Sequence, residues 1–501
     1  MSLAKVSSAA VLGLEAYPVE VEVDISNGLP AFSIVGLPDK AIEESKERVR
    51  SAIKNSGADF PAKRITVNLA PADIKKEGPA YDLAIAVGIL IADEQIPEID
   101  EKTLLVGELA LNGRLRHING VLPIVSSLAK KFPEIILPET NANEAMLVKN
   151  IKVLPVFDLK ALIFHLKKEK ILPYSKANIE IAPKFIYETD LADIKGQEQA
   201  KRALEIAAAG GHNLLFNGPP GSGKTLLART IPSILPKLIT DEILEVTKIY
   251  SVAGLLNTEK PVIFERPFRA PHHTTSSVAL VGGGTYPRPG EITLAHRGVL
   301  FMDEFAEFPR SVLEALRQPL EDGIISVSRA QGSLIFPAKF ILVAAQNPCP
   351  CGYLGDEKKN CICAPNQILR YQKRVSGPIL DRIDIHIEVP RISFEKLDAK
   401  ESGETSELVR ARVEKAREIQ LQRAGKINSE LNPKEIKKYC VLDEESKLIF
   451  RSAMNQFDLS ARQYTRILKV ARTIADLEEK EIQKNHLTEA LQYRPKEKKT
   501  Y

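Results

Sequence analysis

Lys224 and Thr225 close the run Gly218-Pro-Pro-Gly-Ser-Gly-Lys-Thr225, whose residue types suit one chemistry above others. Its glycines let main-chain N–H groups turn inward together, where they cradle phosphate oxygens. Lys224 is then placed to charge-match the β and γ phosphates, and the Thr225 hydroxyl to reach Mg²⁺. The pair Asp303-Glu304 supplies the other half of a hydrolytic site. Asp303 suits Mg²⁺, held through water. Glu304 suits the attacking water, assistance worth about 10²–10⁴ in rate. Asn347, in Gln346-Asn347, adds an amide able to orient the same water. ATP and Mg²⁺ are the implied cofactors. Separately, Cys349-Pro-Cys351 and Cys361-Ile-Cys363 bring four thiols close in the chain. Four thiolates suit a closed, structural, tetrahedral Zn²⁺ site, and free or redox-active thiols are the alternative.

Each group needs an element to deliver it. Leu214-Leu-Phe216 reads as a short apolar strand before the loop, and Leu226–Ile231 as a helix after it, whose N-terminal partial charge favours phosphate. Gly298-Val-Leu-Phe-Met302 is a second apolar strand, ending at the two acids, and Phe340–Ala345 a third, ending at the amide. Ile324–Ser328 and Leu334-Ile-Phe336 flank Arg329-Ala-Gln-Gly-Ser333 as the arms of a β-hairpin flank its tip. Near the C-terminus, Tyr464, Ile467, Leu468, Ala471 and Ile474 form one apolar helix face, with Arg462, Arg466 and Lys469 on another.

The chain has 501 residues, too many for one core, so two or three domains are expected. A 44% hydrophobic and 27% charged composition is that of a soluble globular protein, and a net charge of +4 neither requires nor excludes nucleic acid. The longest apolar run, Leu83–Ala92, falls short of the ~18 residues a membrane span needs and reads as a buried helix. Ala9–Leu14 is cut short by Glu15 without the flanks of a signal peptide, so a cytoplasmic protein is expected. Before the phosphate loop, Pro18–Asp24 alternates as a strand and Asp39–Asn55 has helical spacing with an N-cap at Asp39. Arg64–Leu69 and Ile151–Leu154 read as strands, and Leu159–Lys168 as a helix. The expected domains are 1–168, a linker at 169–189 around Pro173, a core at 190–395 and a helical segment at 396–501.

The order loop, acidic strand, amide strand resembles an AAA+ ATPase. Asp193-Ile-Lys-Gly-Gln197 is similar to the family's segment lining the adenine pocket, which implies nucleotide contacts for Ile194 and Gly196. Gly377-Pro-Ile-Leu-Asp-Arg-Ile-Asp384 resembles the arginine-finger motif of the branch holding magnesium chelatase and the MCM helicases. That resemblance implies that Arg382 acts on a neighbouring subunit's nucleotide in an oligomer, expected to be a hexamer; a local pair with Asp381 or Asp384 is the alternative. Ser460-Ala-Arg462 resembles sensor 2 of the lid, with Arg466 as the competing arginine. In the same branch, elements equivalent to Phe268–Thr275, Gly282-Gly-Gly284 and the hairpin project into a central pore, which makes Arg329 the candidate DNA contact. His272 and His273 are read as structural, with a contact in the pore as the alternative.

The whole chain is similar to the ComM/YifB family of magnesium-chelatase-like ATPases, through Leu29–Asp39, Val67–Asp73, Lys76–Pro79 and the central motifs. The resemblance implies an α/β AAA+ P-loop core with a helical C-terminal lid. It implies a DNA-dependent motor for branch migration or helicase work, in recombination or natural transformation, on single-stranded or branched DNA and without a membrane. A chelatase-type motor for metal insertion, or a chaperone-like remodeller, is the alternative. The first domain also resembles the α+β proteolytic domain of Lon, a ribosomal S5 domain 2-like fold. Ala80 then stands at the nucleophile position and Leu122 at the lysine position, which implies a retained fold without peptidase chemistry.

Overall fold

Period-two alternation and one tight turn build the first sheet. The computed structural model describes residues 2–175, 187–257, 259–284, 288–329, 332–392 and 403–495. In it, β1 (Ser2–Leu12) and β2 (Glu15–Ser26) pair antiparallel from Ser2↔Ile25 to Leu12↔Glu15. Gly13, at φ +65°, opens the two-residue connection, as a primed hairpin turn requires. Ala9–Leu12 is thus the end of a strand. Val19, Val21, Val23 and Ile25 of β2 are buried, and the acids between them are not. Next come β3 (Ala31–Val35), β4 (Arg64–Ala70), β5 (Thr103–Leu105), the hairpin β6 (Glu108–Leu109) and β7 (Leu115–Arg116), β8 (Glu134–Pro138) and β9 (Lys152–Val156). The seven-stranded sheet runs β3-β4-β2-β1-β5-β8-β9.

Helix Lys40–Asn55 starts where Asp39 accepts the Ile42 N–H at 2.9 Å, the expected N-cap. Helix Asp82–Ala92 is buried at every position, the fate of a helix apolar on all sides. Ala80 lies in the turn Pro79–Tyr81 just before it, and Leu122 is buried in helix Val121–Leu128.

The chain forms two compact units. Met1–Pro183 and Thr240–Phe264 make the first, and Lys184–Ile239 with Glu265–Tyr501 the second. Residues 240–264, inside the expected core segment 190–395, thus group with the first unit. Helix Thr240–Ala253 buries Val246, Thr247, Ile249 and Ser251. Ser251 donates its hydroxyl hydrogen to Glu144 and accepts the Gly120 N–H at 3.0 Å. Burial raises the pKa of the Glu144 carboxyl, so the serine and the Leu122 and Asn141 donors satisfy a group that would otherwise be costly there. Much of the expected linker, residues 176–186, and the expected boundary at 395 lie outside the described residues.

The second unit contains β10 (Leu214–Asn217), β11 (Phe268–Arg269), β12 (Gly282–Gly283), β13 (Arg288–Pro289), β14 (Val299–Met302), β15 (Ile324–Arg329), β16 (Gly332–Pro337), β17 (Ile341–Gln346) and β18 (Ile385–Glu388). Five of these form a parallel sheet, β11-β14-β17-β10-β18. Its three inner strands, β14, β17 and β10, read as apolar runs because both faces are covered. The pairings Asn217↔Gln346 and Met302↔Ala344 bring the carboxyl ends of β10, β17 and β14 to one rim. Helices Ser406–Ala424 and Ala461–Leu477 bury Val409, Val413, Ile467, Leu468, Ala471 and Ile474 in the cluster that holds Leu214 and Phe216. Tyr464, expected on the apolar face, is 38% exposed and stacks on Phe450 at 4.7 Å.

Candidate nucleotide site

The phosphate loop turns between β10 and helix Lys224–Ile234. Gly221 and Gly223 take φ +76° and +90°, and a Cβ at Gly218 would sit 2.2 Å from the Val389 carbonyl, so glycine is required on two separate grounds. Lys224 is 8% exposed and donates to the carbonyls of Gly218 (2.7 Å) and Pro219 (2.8 Å). Its Nζ also lies 3.4 Å from Asn347 Oδ1, at the end of β17. Burial pulls its pKa down to about 8, against the opposing charge of Asp303. Ile194 is buried. Gly196 and Gln197 follow it with φ +58° and +60°, and Gln197 donates to the carbonyls of Ser222 (3.3 Å) and Pro390 (2.7 Å). Ile194 and Gly196 are thereby tethered to the loop.

Thr225 donates to Asp303 Oδ2 at 2.7 Å, so the two residues read as Mg²⁺ partners stand together. Glu304 occupies the left-handed region, φ +51°, and its N–H donates to Asp303 Oδ1 at 2.9 Å. Its side chain reaches His273, whose Nδ1 lies 3.0 Å from Glu304 Oε2. Sequence reasoning missed this partner and treated the histidine as structural. No local pattern signals it: His273 and Glu304 lie in turns past the ends of β11 and β14 and meet only in the fold.

Two candidate arginines meet on one acid. Arg382, 6% exposed, donates to the Pro378 carbonyl at 2.7 Å and to Glu321 Oε2. Arg462 reaches Glu321 Oε1 at 2.9 Å. Arg382 chiefly, with Arg462, holds the Glu321 carboxyl below its usual range. The local partner of Arg382 is thus Glu321, and neither Asp381 nor Asp384. Arg466, the competing arginine for the sensor 2 role, pairs with buried Asp384. Burial favours the neutral form of Asp384, but Arg466 and His212 outweigh it and keep the carboxyl far below the ordinary range. Lys469 donates to the Ser429 carbonyl at 2.8 Å, so the expected basic face is largely engaged within the unit.

The four cysteines converge. Cys349 Sγ lies 3.4 Å from Cys351 and 3.7 Å from Cys361, with 3.6 Å between Cys351 and Cys361. All four Sγ atoms, Cys363 included, fall within 4.8 Å of one another. Metal–sulfur bonds of about 2.3 Å in a tetrahedron separate sulfurs by about 3.8 Å, so the donor set fits one ion. The same knuckle touches the loop, since a Cβ at Gly352 would lie 2.5 Å from Pro220 Cδ.

The hairpin forms as expected, from Ile324↔Pro337 to Arg329↔Gly332. Arg329 ends β15 beside the turn; its side chain, and residues 330–331, lie outside the described ones. In the preceding insertion, β12 and β13 pair as Gly282↔Pro289.

Three family models match in series. Residues 190–397 match magnesium chelatase, subunit ChlI; residues 21–141 match subunit ChlI of Mg-chelatase; and residues 403–494 match the ChlI C-terminal region. The chain is 50% identical over 502 residues to competence protein ComM of Haemophilus influenzae, spanning 99% of this chain and 98% of that one. It is 46% identical over 499 residues to uncharacterized protein YifB of Escherichia coli, spanning 99% and 97%. A shorter match, 26% identical over 159 residues and 28% of each chain, is to Lon protease 2 of Bacillus subtilis. Among the described residues no helix is long and apolar enough to cross a membrane.

Proposed function

This chain belongs to the ComM/YifB family of magnesium-chelatase-like AAA+ ATPases, and on that premise we propose an oligomeric, ATP-driven motor that acts on DNA. The observation that carries the hydrolytic half is the meeting of Lys224, Thr225, Asp303 and Asn347 at one rim of the parallel sheet. Lys224 exchanges its own loop's carbonyls for the β and γ phosphates. Thr225 and Asp303 hold Mg²⁺, which when bound neutralises charge on the phosphates. Glu304, aimed by His273, accepts a proton from the attacking water, and Asn347 orients that water. Ile194 and Gly196 line the adenine pocket. Arg382 of an adjacent subunit stabilises charge on the transferred phosphoryl group, and Arg462, in a helical lid formed by the C-terminal helices, senses the nucleotide. The working form is a hexamer. Cys349, Cys351, Cys361 and Cys363 hold a structural Zn²⁺ that braces the phosphate loop through Gly352. The first unit is a Lon-like domain without peptidase activity, because Ala80 offers no nucleophilic oxygen and Leu122 no base.

The DNA half rests on kinship with a competence protein over the full length of both chains, and on the β15–β16 hairpin with Arg329 at its end. ATPase rates with and without single-stranded or forked DNA test it. Stimulation with a steep salt dependence is expected. No stimulation, together with no gel shift at low salt, would reject it in favour of a DNA-independent remodeller or a chelatase-type motor. The latter is the reading suggested by the magnesium chelatase description of the matched core.

A further inference from the structure

One carboxylate holds two arginines that are far away in the chain. Glu321 lies 61 residues before Arg382 and 141 before Arg462, and each of its oxygens accepts from one of them. Arg382 has little left to offer. One terminal nitrogen serves Glu321 and the other the Pro378 carbonyl, while its Nε is buried without a partner. The Glu321 side chain is 48% exposed, so water can take over its hydrogen bonds if the arginines leave. A guanidinium presents planar edges that fit a carboxylate or a phosphate equally well, and an N–H that donates to Glu321 cannot serve a phosphate at the same time. The position of Glu321 adds a second link. It sits in helix Arg317–Asp322, which turns at Gly323 (φ +67°) straight into β15 of the hairpin.

We propose that Glu321 is a latch, a positioning residue that retains the finger and lid arginines within their own subunit until a nucleotide phosphate draws them off. The inference rests on the roles given above to Arg382 and Arg462. Only hydrogen bonds exchange: the guanidiniums pass from carboxylate to phosphate oxygens, and the freed carboxylate is hydrated. Because the latch helix feeds the hairpin, a ligand that shifts β15 also shifts Glu321, so engagement of the hairpin and release of the arginines are linked.

The test compares DNA-free and DNA-stimulated ATPase of the full-length wild type with Glu321→Gln, Glu321→Asp, Asp322→Asn and Arg382→Ala, with thermal melts as a folding control. Glu321→Gln keeps the shape but removes the charge, and Glu321→Asp keeps the charge but shortens the reach to two arginines. Both are expected to raise the DNA-free rate and to lower the KM for ATP, and Glu321→Gln to raise the rate about fivefold, the factor that corresponds to the ~1 kcal/mol between a charge-assisted and a neutral hydrogen bond. Asp322→Asn, which removes the same charge one residue away, should leave the DNA-free rate unchanged. A merely structural role would lower the melting temperature without raising the rate. If Arg382→Ala is impaired while both Glu321 variants hydrolyse at or below the wild-type DNA-free rate, the latch is wrong and the finger stands. If Arg382→Ala hydrolyses normally, the finger reading itself has failed and the latch with it. The DNA-free rate decides the latch even where no DNA stimulates.

Discussion

Lys224 offers a quantitative test because its protonation and its task are coupled. Burial lowers its pKa to about 8 in the free protein, whereas a triphosphate needs the cation and keeps it charged well above that pH. Binding therefore takes up a proton whenever free Lys224 is neutral, so affinity must fall as pH rises. A group with a pKa of about 8 is roughly nine-tenths charged at pH 7 and one-tenth charged at pH 9. The association constant follows that fraction, which predicts about tenfold weaker nucleotide binding at pH 9, or ~1.4 kcal/mol. Above pH 8 the slope of log Kd against pH should approach one. The terminal phosphate, with its last ionisation near pH 6, is fully charged over this range and contributes little. Titration with a fluorescent, non-hydrolysable ATP analogue from pH 7 to 9.5, at fixed Mg²⁺ and ionic strength, measures the curve. Lys224→Arg is the control, since a guanidinium stays charged throughout and should give a flat profile at whatever affinity it retains. A wild-type Kd that changes less than twofold between pH 7 and 9 would refute the reasoning, as would a Lys224→Arg slope equal to that of the wild type.

Glu304→Gln should bind the same analogue normally and hydrolyse ATP about 10²–10⁴ times more slowly in steady-state assays. Arg382→Ala should also bind normally but lose about 10³–10⁵ in kcat, with activity partly restored by mixing in Lys224→Ala subunits. Arg466→Ala removes the guanidinium partner of buried Asp384, leaving it His212 and the Asn213 N–H, and should cost about 3–5 kcal/mol in chemical denaturation at pH 7. Because the folded carboxyl of Asp384 titrates below its unfolded value, the pair's stabilisation is complete above about pH 4 and is lost as pH falls further, so wild type and variant should converge in acid. Zinc should be found by elemental analysis at about one per chain, and its removal with a chelator should lower the melting temperature and the ATPase rate together; a metal-free protein with full activity would remove the zinc reading.

Much of the site is contiguous and therefore legible. The run 218–225 works through adjacent backbone groups, so its glycines, Lys224 and Thr225 declare the chemistry before any fold is known. Asp303, Glu304 and Asn347 are nearly as plain, because each follows an apolar strand that can end only at the sheet rim. The Asp39 cap and the all-round apolar helix 82–92 are equally local signals.

Tertiary structure decided the rest. The His273–Glu304 contact depends on the parallel register of β11 against β14, which no local pattern encodes. Arg466 and Arg462 share a helix face in projection, yet one is committed to buried Asp384 and the other to exposed Glu321. Helix Thr240–Ala253 packs into the first unit's core and not into the one that surrounds it in the chain, which the sequence does not declare, since hydrophobic burial has no direction and any complementary surface would serve. Phosphate chemistry is written in neighbouring residues and can be read from them. Partnerships between distant residues are settled only when the strands fall into register and the buried charges find their counter-ions.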